Sequence, residues 1–512
     1  MNILNTENKI LLCLILFSLT IRLATLEFIN PSDNAYYWFS AKILYYGQDY
    51  IKWMESFSMA HQTTRFGLII PVYFLQNLFG TSLFVLYILP VIVSVICTGI
   101  IFRIGVLAGN TTVGIISGVL FTIFPPLIRS GSQIFPDILC SLYILVAFYM
   151  MIYYYKFGKK HIIFIIISAV LSFLAYLAKE PAIFLVFGIY GALYILGKSK
   201  KELIVFAAVF SMLFFFESLF YYINFGDFLG RFHIVKSQHL NQTDFPVLHS
   251  IFGLFYRYVA IPNYWKVALF SYFIFLFYLF FIDTKVNTIL KSFAFIGFMF
   301  FFCTTFALKS INPLIPAQHF QSRYLDAGIA FIMPVISFYF YNIFNNIFLR
   351  FRQKDNKNIN YSSKPKVICL LLLMLTGLYL PLFFRFSENS KYGEYGNKCS
   401  HPFSLLGNYS YTINEMYRQG YPIVFASKDK RKSTCLLLYV ILDQNSIPVD
   451  EMLRLPQYGS ILTNKGEFYY FSKGNNVIKS AQDLNNYEKY VYVGFVNKNM
   501  FYKIIYSSDF IW

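Results

Sequence analysis

The chain has 512 residues, of which 57% are hydrophobic, 21% aromatic and only 13% charged, with a mean hydropathy of +0.53. Soluble globular proteins carry about 25% charged residues, so this chain has too little polar surface to stay in water; soluble enzymes and disordered proteins are excluded. The formal net charge of +18 would suggest a nucleic-acid partner in a soluble protein, but where the charges sit gives them another meaning.

Taken in chain order, the sequence predicts about eleven spans, at residues 9–29, 81–102, 111–128, 137–155, 161–178, 181–197, 203–223, 263–282, 289–308, 324–348 and 367–386. Each is near the ~20 apolar residues that cross a bilayer core. The first is interrupted by Arg22 and has no small-residue cleavage site, so it reads as an uncleaved span. The segment from Phe66 to Phe79 is too short to cross, stops at Phe79-Gly80, and reads as re-entrant or interfacial. With the N-terminus inside, the inner loops hold sixteen basic and four acidic residues, a balance of +12 against +3 for the rest of residues 1–386. Such asymmetry is the positive-inside signal. The basic excess reports topology, and no nucleic-acid partner is expected.

An odd number of spans puts residues 387–512 outside. This tail is rich in Asn, Lys, Tyr and Ser, with strand-like runs at 421–426, 468–471 and 490–495 and helix-like pieces at 432–443 and 481–487. The expected fold class is an all-α polytopic membrane domain, residues 1–386 with a first outer loop at 30–80, followed by a small extracytoplasmic α/β domain. By its location the tail is expected to help recognise an acceptor. Cys13, Cys97, Cys140, Cys303 and Cys369 fall in apolar spans as packing residues. Cys399 and Cys435 fall in the outward tail, where a disulfide and two free thiols are both open readings.

Polar side chains are costly in such a chain, so their distribution is informative. On this topology they gather at the outer face: Asp33, Asp49, Glu55, His61 and Arg65 in the first outer loop, Asp137 opening the fourth span, and Lys179 and Glu180 between the fifth and sixth. Glu217 follows near the outer end of the seventh, then Asp227, Arg231, His233, Lys236, His239, Asp244, His249 and Arg257 in a long outer loop, and His319, Arg323 and Asp326 at the tenth. Acids and bases meeting at one interface suit a site that handles an anionic lipid headgroup and a polar acceptor.

The run Asn30-Pro31-Ser32-Asp33-Asn34-Ala35-Tyr36-Tyr37-Trp38, continuing through Ala41-Lys42-Ile43-Leu44 to Gly47, resembles the first outer loop of the GT-C superfamily of polyprenyl-phosphate-sugar glycosyltransferases. Within it the likeness is to the branch of protein O-mannosyltransferases and lipid A aminoarabinose transferases. Further matches in order are Thr64-Arg65-Phe66-Gly67 with Pro71 and Phe79-Gly80, Phe135-Pro136-Asp137, Ala178-Lys179-Glu180-Pro181, Glu217 with Phe225-Gly226-Asp227 and Arg231, and Gln321-Ser322-Arg323-Tyr324-Leu325. They cover about residues 9–348. Two departures stand out: Asn34 follows Asp33 where the family often has Glu, and the Pro-Pro stretch of the aminoarabinose transferases is replaced around Arg65, so their acceptor does not carry over.

The resemblance implies transfer of a sugar from a polyprenyl-phosphate carrier to a glycan, glycolipid or protein hydroxyl, with Asp33 as the base, at a bacterial inner membrane. The residues suit that chemistry independently, since an inverting transfer needs a general base for the acceptor and cations for the departing phosphate. Asp33 also reads as the cap of the helix it precedes. Arg65, Lys179 and Arg323 are candidates for the phosphate, or snorkel at span ends. Asp137 and Glu180 orient those cations or the sugar, or cap helices. Glu217, among phenylalanines, must be paired or line a cavity, with Arg231 its expected partner. No Asp-x-Asp pair lies near Asp33 and the outer-loop histidines lack metal-ligand spacing, so neither a metal nor a cofactor is expected. The competing classes are a lipid-linked glycan polymerase and a flippase or transporter; the latter predicts midplane charge and repeated halves, which the sequence lacks.

Overall fold

The computed structural model describes residues 6–26, 33–56, 61–81, 83–131, 133–156, 161–197, 200–240, 261–283, 287–306, 308–311, 314–316 and 322–354, and in the tail 423–425, 457–463, 466–472, 489–496 and 499–506. The helices run α1 Thr6–Ala24, α2 Asp33–Tyr45, α3 Tyr50–Ser56, α4 Phe66–Phe79, α5 Leu83–Ala108, α6 Thr111–Ile123, α7 Pro125–Ser130, α8 Pro136–Lys156, α9 Ile163–Ala178 and α10 Ile183–Gly197. They continue with α11 Lys200–Phe225, α12 Gly230–Leu240, α13 Asn263–Phe277, α14 Thr288–Phe306 and α15 Ile329–Lys354.

Among the described residues seven helical stretches are long and apolar enough to cross a membrane: Tyr87–Ala108, Pro136–Lys156, Glu180–Gly197, Lys200–Phe225, Asn263–Ile282, Thr288–Phe306 and Leu325–Asn346. The chain is a multi-pass membrane protein. These seven answer to seven of the eleven expected spans; the one expected at 367–386 lies outside the described residues. α1, α6 and α9 fall at three others, and Phe66–Phe79 is a short apolar helix.

Two boundaries differ from the sequence reading for identifiable reasons. The helix expected to stop near residue 102 runs on to Ala108, because Arg103 does not end it: its guanidinium reaches Glu7 at 3.6 Å and also bonds Asn8. The expected span 111–128 is broken at Phe124, whose backbone is extended (φ −65°, ψ 123°) ahead of Pro125-Pro126. The proline ring disfavours the helical conformation at the residue before it. At its other end α6 starts cleanly, since the Asn110 side chain accepts the Val113 N–H at 3.1 Å.

The chain separates into two compact units. One holds residues 1–26, 59–68 and 88–386, and the other 27–58, 69–87 and 387–512. In the first, α8 packs along α9, α10 along α14, α11 along α9, and α15 along α6. Phe148, Phe293 and Phe331 stack α8, α14 and α15 together at ring separations of 5.3 and 5.1 Å.

In the second unit α2 and α3 pack together, with the Trp53 indole donating to Ser40 at 3.1 Å. The Gln76 amide donates to the Trp38 carbonyl at 3.3 Å. Aromatic residues in a loop at the membrane surface are expected to settle at headgroup depth, but Tyr37, Trp38, Tyr50 and Trp53 are buried. Burying ring area, with the Trp53 indole satisfied within the unit, outweighs placing those rings at the interface. Tyr45 does remain exposed.

In the tail, β3 (Ile423–Phe425), β4 (Gln457–Thr463), β5 (Gly466–Ser472), β6 (Lys489–Val496) and β7 (Asn499–Tyr506) form one sheet in the order β4-β5-β3-β6-β7. β3 runs antiparallel to β5 and parallel to β6. The three predicted strand runs fall in β3, β5 and β6. β4 and β7 were not legible, because neither alternates cleanly. A short hairpin, β1 (Leu308–Ile311) and β2 (Leu314–Pro316), precedes α15. The two helix-like pieces expected in the tail and Cys369, Cys399 and Cys435 lie outside the described residues. Cys97 and Cys140 are buried as expected, whereas Cys13 is exposed.

Candidate functional site

Three local breaks in helical structure build the site. The first is at the end of α9, where Lys179 is extended (φ −159°, ψ 131°) and Glu180-Pro181-Ala182 form a single tight turn before α10. Pro181 cannot continue α9 with an N–H, so the chain turns with Lys179 and Glu180 at the bend. The second is Gly226, whose positive φ of 69° ends α11 and lets the chain reverse into α12. Asp227 accepts the Leu229 N–H at 3.0 Å and steadies that reversal. The third is at the start of α4, where a Cβ on Gly67 would collide with the backbone of Leu174 and Ala178. Gly67 thus lets the chain beside Arg65 rest on the last turn of α9.

The side chains then meet. Arg231, in the first turn of α12, donates from Nη1 to Glu217 at 2.8 Å and from Nη2 to Glu180 at 3.1 Å. Nη2 also donates to the carbonyls of Tyr176 and Leu177 at 2.9 and 3.3 Å. These belong to the last turn of α9, whose carbonyls lack helical partners and carry the negative end of the helix dipole. The guanidinium lies 4.6 Å from the Tyr176 ring centroid. Arg65 approaches the other oxygen of Glu180 at 3.6 Å. On the neighbouring pair of helices, Lys179 donates to Asp137, in the first turn of α8, at 2.5 Å.

The Arg231 and Glu217 side chains are only 2% and 7% exposed, so each depends on the other to offset lost hydration. Burial alone would lower the pKa of Arg231, but Glu180 and Glu217 more than reverse this and hold the guanidinium charged, above its ordinary value. Three cations, Arg65, Lys179 and Arg231, therefore face three carboxylates, Asp137, Glu180 and Glu217. The cluster is close to neutral.

Six of the eight residues singled out from sequence come together here. Glu217 and Arg231 are paired as expected. For the other two, Asp33 begins α2 and Arg323 lies in the short turn Ser322–Gly328 ahead of α15, while their side chains are outside the described residues. Asp326, in the same turn, is buried and accepts the Ser130 hydroxyl at 2.9 Å. His233 pairs with Asp227 at 2.6 Å in an exposed position, and that hydrogen bond holds the Asp227 carboxyl below its usual range. Sequence reasoning missed Tyr176, whose only signal was a phenol at the end of an aliphatic span, and gave Arg22 no role beyond interrupting the first span.

No protein-family model matches the chain, and no curated protein does. Among solved structures, the chain is similar to ArnT from Cupriavidus metallidurans in the apo state, with 8% identity and a TM-score of 0.49 over 96% of this chain and 93% of that one. It is similar to the same protein bound to undecaprenyl phosphate, with 9% identity and a TM-score of 0.48 over 94% and 92%. The oligosaccharyltransferase from Archaeoglobus fulgidus in the apo form gives 13% identity and a TM-score of 0.44 over 86% of this chain. The chain spans 61% of the length of that archaeal protein.

Proposed function

We propose that this protein is an integral-membrane glycosyltransferase that moves a sugar from a polyprenyl-phosphate carrier to an acceptor hydroxyl at the extracytoplasmic face, with inversion at the anomeric carbon. The observation that carries the reading is the buried network joining Arg65, Glu180, Arg231 and Glu217, beside the Lys179–Asp137 pair. These six residues come from four separate stretches that resemble GT-C motifs, and since charge is costly to bury, so many buried charges gathered in one place support a functional site.

In the proposed reaction Asp33 takes the proton of the acceptor hydroxyl as its oxygen attacks C1 of the sugar. The C1–O bond to the phosphate breaks, and the carrier leaves as polyprenyl phosphate. Arg323 is the candidate contact for that phosphate. Arg65 and Lys179, each held against a carboxylate, fix the site's geometry and place positive charge beside the donor sugar and phosphate. The tail forms an α/β domain on the outer side and contributes to acceptor selection, and the membrane is the inner membrane of a bacterium.

The test is transfer by the purified protein in proteoliposomes, together with mass spectrometry of co-purifying lipid. Asp33→Asn is expected to lower turnover roughly 10²- to 10⁴-fold, the usual contribution of a general base, and to retain a polyprenyl-phosphate sugar. Full turnover by the variant would remove Asp33 as the base. An intact multi-sugar lipid on both proteins would favour the polymerase or flippase.

A further inference from the structure

The site just described holds three buried cations, and each is already matched by a carboxylate. Transfer from a phosphate carrier leaves a phosphate with increased negative charge, which needs donors not otherwise engaged. Arg22 offers them. It is fully buried, and its Nε donates to Ser94 Oγ at 2.6 Å, which fixes the plane of the guanidinium. Among the described residues neither Nη1 nor Nη2 has a hydrogen-bond partner, and Arg22 is in no ion pair. A buried guanidinium with two unmet nitrogens is costly unless an anion completes it.

Position supports the same assignment. α1 has 19 residues and is therefore about 28 Å long at ~1.5 Å per residue, close to the thickness of a bilayer core. Arg22 is in its last turn, at the outer end when the N-terminus is inside, which is the depth of an outer-leaflet phosphate. Leu12, Leu16 and Leu23 are exposed on α1, so an isoprenoid chain has apolar surface to lie against beside the arginine. A Cβ on Gly131 would come within 2.7 Å of Arg22 Cδ and Nε. That glycine begins the short connection to Asp137, a stretch of six residues that reaches at most about 20 Å.

We propose that Arg22 is a phosphate-binding residue, which receives the phosphate monoester of a membrane lipid through Nη1 and Nη2 and is oriented for it by Ser94. That the lipid is the polyprenyl carrier rests on the function proposed above; the phosphate site itself rests on Arg22.

The experiment is equilibrium binding of undecaprenyl phosphate to the whole protein in nanodiscs, with inorganic phosphate and phosphatidylglycerol as comparison probes. Loss of two hydrogen bonds to a charged group predicts that Arg22→Gln weakens binding roughly 10- to 100-fold. Arg22→Lys should recover only part, because an ammonium lacks the fork that grips two phosphate oxygens. Ser94→Ala, which keeps the charge and loses only its orientation, should weaken binding several-fold. Asp33→Asn should bind as the parent does while losing transfer, which separates this site from the proposed catalytic base. Parental affinity in monodisperse Arg22→Gln and Arg22→Lys proteins would overturn the inference and leave the proposed function intact. Should those variants not fold, unchanged affinity in Ser94→Ala would overturn it. Arg22-dependent binding of inorganic phosphate, with no gain for undecaprenyl phosphate, would overturn the lipid ligand of this site, while the proposed function fails only if the parent protein also shows no transfer.

Discussion

Arg231 holds together more than one helix. Its guanidinium touches Glu217 on α11, Glu180 on the turn after α9, and two carbonyls at the end of α9. Replacing it with Gln leaves Glu217 without its counter-charge and Glu180 with Arg65 alone, and breaking a buried pair in this way costs about 3–5 kcal/mol. A lower unfolding temperature in detergent would check this. Glu217→Gln combined with Arg231→Gln should recover part of the loss, because the uncompensated carboxylate goes with the cation. At this scale the sequence was readable wherever a charge sat among apolar residues: Glu217 within Phe214-Phe215-Phe216 demanded a partner, and Arg231 is that partner. It was unreadable where a role depended on three-dimensional neighbours. Lys179 and Arg65 look alike as cations at span ends, and only the structure shows that one meets Asp137 and the other Glu180.

Breaks between helices matter as much as the helices. Gly226 has open space where a Cβ would stand, with nothing within 4 Å, so the cost of Gly226→Ala is that of a left-handed backbone alone, about 1–2 kcal/mol. The expected result is a modest fall in stability and a larger loss of transfer, since the turn aims Arg231 back at Glu217; equal effects on both would mean that the turn is only structural. α2 gives a second test. Burial pushes the Lys42 ammonium down to about 8, from ~10.4 in an unfolded chain. Between those two values the unfolded chain holds a proton that the folded one has released, so stability should rise with pH across that window and be flat below it. Lys42→Met should abolish the rise in a thermal-unfolding series. Proline and glycine punctuation was legible at 181 and 226. Pro125-Pro126 was equally visible but was passed over, because hydropathy stays high through a break that hydrogen bonding does not survive.

Over the whole molecule, hydropathy and charge located the membrane helices because both are sums over many residues and tolerate local error. The sheet of the tail was only half legible, since strand pairing such as β3 with β6 joins segments far apart in the chain. The orientation expected from the charge asymmetry makes a direct prediction: a single cysteine introduced at Lys159 should react with an impermeant thiol reagent only from the cytoplasmic side, and one at Thr243 only from the outer side. The swapped pattern would invert the assignment, and labelling of both from one side would break it.

Glu217 also bears on how the protein is made. Its carboxylate lies in α11, and the guanidinium that neutralises it follows fourteen residues later. Chains lengthen at about 5–20 residues per second, so α11 leaves the ribosome with a bare acid for a time on the order of a second. The smallest piece expected to enter lipid with that charge matched is therefore the α11–α12 hairpin, so Glu217→Gln should insert without waiting for Arg231, which a timed membrane-insertion assay would check.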